Sequence, residues 1–127
     1  MTRNEDIVSQ GFEAFQHLDL DGFTKDWHPD VVWDLTHYEG WTGNQTTYKG
    51  TAEVLAGFAD YLGSATSLEV SDLQVSAIDD ARVLGLHLER RDHTKTIEIG
   101  VIYELHEGKV THVEVFTGHA KARQAAL

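Results

Sequence analysis

Apolar positions in the first half of the chain recur at helical spacing, and those in the second half alternate, so helices followed by a sheet are predicted. Ile7, Val8, Gly11, Phe12, Phe15 and Leu18 make one stripe, with Asn4 as the expected N-cap and Glu5 and Asp6 at the positive end of the dipole. Asp19 and Asp21 offer caps for a short helix over Gly22 to Trp27. It should stop at His28, because proline pushes its predecessor out of the helical region. A strand then runs over Val31 to Tyr38, and its odd positions (Val31, Trp33, Leu35, His37) form the more apolar face, which predicts them inward. Residues 39–49 read as a loop carrying Trp41 and Tyr48, equally suited to a lid or to a plug at the end of the core. A third helix follows Gly50 and Thr51, with Val54, Leu55, Phe58, Ala59, Tyr61 and Leu62 as its stripe and Gly63 as its stop.

From Leu68 the pattern alternates. Leu68 and Val70 share one parity and Leu73, Val75 and Ala77 the other, a slip across Ser71 and Asp72 that predicts a β-bulge. Further strands are predicted over Val83 to Asp92, Thr96 to His106 and Lys109 to Thr117. Glu107 and Gly108 form the last hairpin turn, and a short helical tail begins at Ala120. The expected fold class is α+β: one domain over residues 1–127, with a bent antiparallel sheet wrapped around N-terminal helices and a cone-shaped hollow between them.

The strand from Val83 carries the candidate chemistry. Alternation puts Val83, Gly85, His87, Glu89 and Arg91 on one face and four apolar or basic neighbours on the other. In water such a row needs no account; inside a cavity, an imidazole beside a carboxylate can handle protons. His87 and Glu89 are therefore the candidate catalytic pair. The remaining histidines show neither His-x-His nor His-x-x-x-His spacing, so no metal site is expected.

Composition narrows the partners. The 127 residues contain no cysteine, which excludes thiol nucleophiles and disulfide scaffolds, and the net charge of -11 repels nucleic acid and anionic lipid. With no charged-then-apolar leader and no apolar run long enough to span a bilayer, a cytoplasmic location away from membranes is the simplest expectation. Ile102 and Phe116, placed on the outer sheet face with Glu98, Gly100, Glu104, Val110, His112 and Glu114, predict an apolar patch that a homodimer would bury.

Five short motifs, in this order, carry a resemblance: Phe12-Glu13-Ala14-Phe15, Asp19 to Phe23, His28 to Trp33, Tyr48-Lys49-Gly50 and Glu107 to Val110. Together with Val115-Phe116 before an Ala-rich end, they resemble the SnoaL-like branch of the nuclear transport factor 2-like superfamily. The resemblance implies a cystatin-like α+β barrel, usually dimeric, whose pocket serves polyketide cyclases, steroid isomerases, epoxide hydrolases and plain binding domains. Phe12 stands where the steroid isomerases place a phenol, and Leu35 where they place a catalytic carboxylate, so both groups are missing. His87 and Glu89 match the positions of an arginine and an aspartate in epoxide hydrolases of the limonene type, whose third carboxylate falls near Val115.

Two functions remain open. One is a cofactor-free acid–base enzyme acting on an apolar polyketide-, terpene- or steroid-like molecule, with Phe12, Phe15, Trp33, Leu35, His37, Trp41, Tyr48, Phe58, Arg91, Val101, Tyr103, Val113 and Val115 as the pocket wall. The other is a binding or dimerisation domain with an unreactive pocket.

Overall fold

A computed structural model describes residues 2–63 and 65–127. The first helix, α1 (Arg3–Gln16), starts two residues earlier than the sequence pattern suggests. Thr2 rather than Asn4 is its N-cap, accepting from the Glu5 N–H while the Glu5 carboxylate accepts from the Thr2 N–H. Asn4 instead donates to the Asp80 carbonyl and ties the helix to the sheet. Helix α2 is a single turn, Leu20–Phe23, capped by Asp19. Trp27, predicted in that helix, opens strand β1 (Trp27–His37). Pro29 lies inside this strand, where pairing is irregular between Trp27 and Val32 and a missing N–H breaks no regular ladder.

Tyr48 sits not in a loop but in β2 (Thr47–Lys49), a short strand antiparallel to β1. Helix α3 (Gly50–Leu62) buries Val54, Gly57, Phe58 and Tyr61 at strict helical spacing; Leu55, placed in its stripe by sequence, is exposed. Strands β3 (Leu68–Ala77), β4 (Arg82–Arg91), β5 (Ile97–His106) and β6 (Lys109–Thr117) form the antiparallel meander, and α4 (His119–Ala125) closes the chain. The sheet order is β2-β1-β6-β5-β4-β3, and β1 lies parallel to β6, so one pairing departs from the antiparallel expectation. The result is a curved, unclosed six-stranded sheet around the N-terminal helices.

Three bulges decide which side chains face inward. The slip between Ser71 and Gln74 lies where the parity change placed it, with Asp72 at a positive φ. A second slip, between Asp34 and His37, was not expected. The Asp34 carboxylate accepts the Thr36 N–H at 2.8 Å and the Thr36 hydroxyl at 2.5 Å, drawing that amide into a local turn. His37 is therefore turned to the outer face, stacked on Phe116 and beside Glu114, while Tyr38 packs against the interior. The third slip, between Glu104 and Leu105, turns Val110 inward, where it is 1% exposed, against the outer position predicted.

The outer apolar patch is not bare. Helix α4 lies across Leu84, Leu86, Ile102 and Phe116, and Ala122 approaches Gly100 so closely that a Cβ there would stand 2.3 Å from the alanine methyl. Among the described residues, no helix is long and apolar enough to cross a membrane.

Candidate functional site

Alternation along β4 delivers His87 and Glu89 to the concave face, and both are 1% exposed. Burying two ionisable groups is costly unless they are paired, and here they are paired. His87 Nε2 lies 3.2 Å from Glu89 Oε1, and the Tyr61 hydroxyl donates to Glu89 Oε2 at 2.8 Å, so each carboxylate oxygen has a partner. The far nitrogen of the ring, His87 Nδ1, is buried without a partner among the described residues. The edge of Phe12 lies over the ring, centroids 4.9 Å apart, and comes that close because Gly85 adds no side chain beneath it.

Arg91 ends the row. Its guanidinium donates to the Tyr61 carbonyl and, at 2.9 Å, to the Tyr38 hydroxyl, and it lies 4.6 Å above the Tyr61 ring. Burial works against its charge, but Tyr61, Tyr38 and Glu89 more than offset this and hold its pKa above the usual arginine value. Burial and then Glu89 push the Tyr61 and Tyr103 phenols well up; burial also raises Tyr38, with Arg91 opposing. All three phenols are thus neutral at neutral pH.

The pair borders an apolar cavity of about 30 Å³, room for about one water, walled by Phe12, Phe15, Trp33, Phe58, Val101, Tyr103, Val113 and Val115. These eight predicted wall residues converge there. Leu35 is fully buried next to them in the same core without lining the cavity. Trp41 meets Trp33 edge-on and Tyr48 meets it at a tilt, and neither lines the cavity, so they act as a plug rather than a wall, with the Trp41 indole donating to the Gln45 carbonyl. His37 is outside, and Arg91 is at the rim. Sequence reasoning missed Tyr61 and Tyr38. Tyr61 was readable as a core aromatic on α3, but a hydrogen bond to a strand 28 residues away leaves no local signal. Among the described residues no three His, Asp or Glu side chains come together to hold a metal.

Residues 8–113 match the family described as SnoaL-like domain. The chain belongs to this family. No curated protein sequence matches it. Among solved structures, it is similar to TerC co-crystallised with polyporic acid (18% identity, 98% of both chains covered, TM-score 0.79). It is also similar to an NTF2-like protein of unknown function from Burkholderia pseudomallei K96243 (21% identity, 98% and 97% covered, TM-score 0.77). A candidate polyketide cyclase from Xanthomonas campestris pv. campestris aligns over 98% and 97% at 18% identity with a TM-score of 0.70. These likenesses establish the NTF2-like fold of the SnoaL-like chain.

Proposed function

We propose that this SnoaL-like protein takes an apolar polyketide-, terpene- or steroid-like molecule into the space beside His87 and moves a proton on it without a cofactor. The observation that carries this is the unpartnered, buried Nδ1 of His87, a residue that lines a mainly apolar cavity together with Glu89. Glu89, already accepting from Tyr61, takes the Nε2–H of the imidazole and leaves the Nδ1 lone pair for the substrate. His87 is then the base that removes a proton and returns it to a neighbouring atom, Glu89 stabilises the imidazolium, and Tyr103 orients a substrate oxygen. The polyketide cyclase candidates among the fold neighbours, and TerC co-crystallised with polyporic acid, support a small organic ligand.

A ligand of such size needs several hundred Å³, so the aromatic wall has to part around it. That small volume favours a second reading, a binding or dimerisation domain without chemistry. A homodimer through the outer sheet face would have to meet α4, which covers Ile102 and Phe116. A panel of ketone and epoxide substrates separates the two readings. The enzyme reading expects turnover with a pH dependence that His87→Ala lowers roughly 10²-fold or more in a folded protein. Full activity in folded His87→Ala refutes the assignment, and binding without turnover supports the second reading.

A further inference from the structure

Glu89 belongs to two spaces at once. Its inner side borders the buried cavity, and the same residue floors a surface depression of about 360 Å³ formed with Leu62, Ile97, Arg91, Asp92 and Lys95. One side chain thus separates the buried imidazole from solvent.

The charges of this depression are not equally available. The Asp92 carboxylate accepts from the backbone and hydroxyl groups of both Thr66 and Ser67, and the Glu89 oxygens are taken by His87 and Tyr61. Arg91 lies 3.6 Å from Glu89, beyond a hydrogen bond, and a guanidinium carries five N–H donors, of which the described partners engage two. Lys95 adds a second cation on the same wall. In a chain of net charge -11, the two cations of this depression match its two carboxylates, Glu89 and Asp92, whose oxygens already have partners of their own.

We infer that this depression is the mouth of the interior site, and that Arg91 there holds an acidic oxygen of the ligand. The substrate class is then a ring-bearing apolar molecule with one carboxylate, enolate or phenolate group. The inference rests on the pocket reading above and adds the anionic group to it. Arg91 suits the task for three reasons. It is 27% exposed at its side chain, so a ligand can reach it without full desolvation; it is braced by the Tyr61 ring and carbonyl; and its planar donors match a carboxylate in two-point contact. With Tyr38 released from the guanidinium, the acidic oxygen takes its place and the apolar body points past Glu89 toward His87.

The test uses two probes of one shape, 2-naphthoic acid and 2-naphthamide, titrated against the intact protein. Tryptophan fluorescence is the readout, since Trp33 and Trp41 both lie against Tyr61. Wild type is expected to bind the acid about tenfold or more tightly than the amide, the size of a charge-assisted contact. Arg91→Gln should bring the two to parity without weakening the amide, and Arg91→Lys should restore part of the preference, with circular dichroism confirming the fold of each. Equal binding of both probes by wild type, or a preference that survives Arg91→Gln, overturns the Arg91 assignment and leaves the interior site standing. Selective acid binding lost in Arg91→Gln while the amide does not bind keeps the Arg91 site and overturns the interior reading. No binding of either probe at millimolar concentration overturns both.

Discussion

The hydroxyl of Tyr61 donates to Oε2 of Glu89 at 2.8 Å, so a helix secures the carboxylate of a strand from across the core. Tyr61→Phe keeps the ring and removes that donor, stranding one oxygen of a buried carboxylate. The expected loss is about 1–3 kcal/mol of unfolding free energy by denaturant titration. Wild-type stability in the variant would show that water satisfies Oε2 instead.

Phe58 stacks on Trp33 with centroids 4.2 Å apart and is 2% exposed. Phe58→Ala should cost about 3–5 kcal/mol and leave a hole joined to the cavity beside His87. If the aromatic wall is what limits ligand size, the same variant should bind naphthalene-sized probes more tightly despite its lower stability. Weaker probe binding in a folded variant would count against that.

Asp92 lies at a positive φ, which asparagine also tolerates, so Asp92→Asn changes charge and leaves the backbone at ease. The Thr66 N–H, then the Ser67 N–H and the Thr66 hydroxyl, hold this carboxyl below its ordinary 3.8. A depressed folded value means that its stabilisation is present above about pH 4 and disappears as the pH falls through the folded value. The melting temperature of the variant should therefore lie below that of wild type at pH 7, and the gap should narrow as the pH is lowered below the ordinary carboxyl value. A gap independent of pH would mean that shape rather than charge is at work.

Gly100 gives α4 its seat, and a side chain there collides with Ala122. Gly100→Val should lift the helix and uncover Leu86, Ile102 and Phe116. Sedimentation is expected to show association rising with concentration in the variant. A strictly monomeric variant would show that α4 finds another way to cover the face.

Alternation made most of the candidate site legible: His87 and Glu89 share the inner face of β4, and Trp33, Val101, Val113 and Val115 meet them as parity required. The Ser71–Asp72 bulge was readable because the apolar parity itself changes there. The Asp34 bulge was not, because Val31, Trp33 and Leu35 keep one parity right up to it, and the cause is a side chain capturing an amide two residues on. One unforeseen slip exchanged His37 for Tyr38. Val110 was misplaced for the same reason, since an extra residue at Thr111 looks in sequence like any other alternating position. The role of Tyr61 depends on how α3 crosses the sheet, and helical spacing alone does not encode that.

The parallel contact of β1 with β6 brings together segments from opposite ends of the chain. Its consequence is temporal. During synthesis β1 has a local partner only in β2; its other flank, and the free flank of β5, stay unpaired until Lys109–Thr117 has left the ribosome. Non-local pairing of this kind slows folding, and the two bare strand flanks are open to other chains meanwhile. A nascent chain halted before β6 is therefore the form of this protein most exposed to aggregation and most in need of a chaperone.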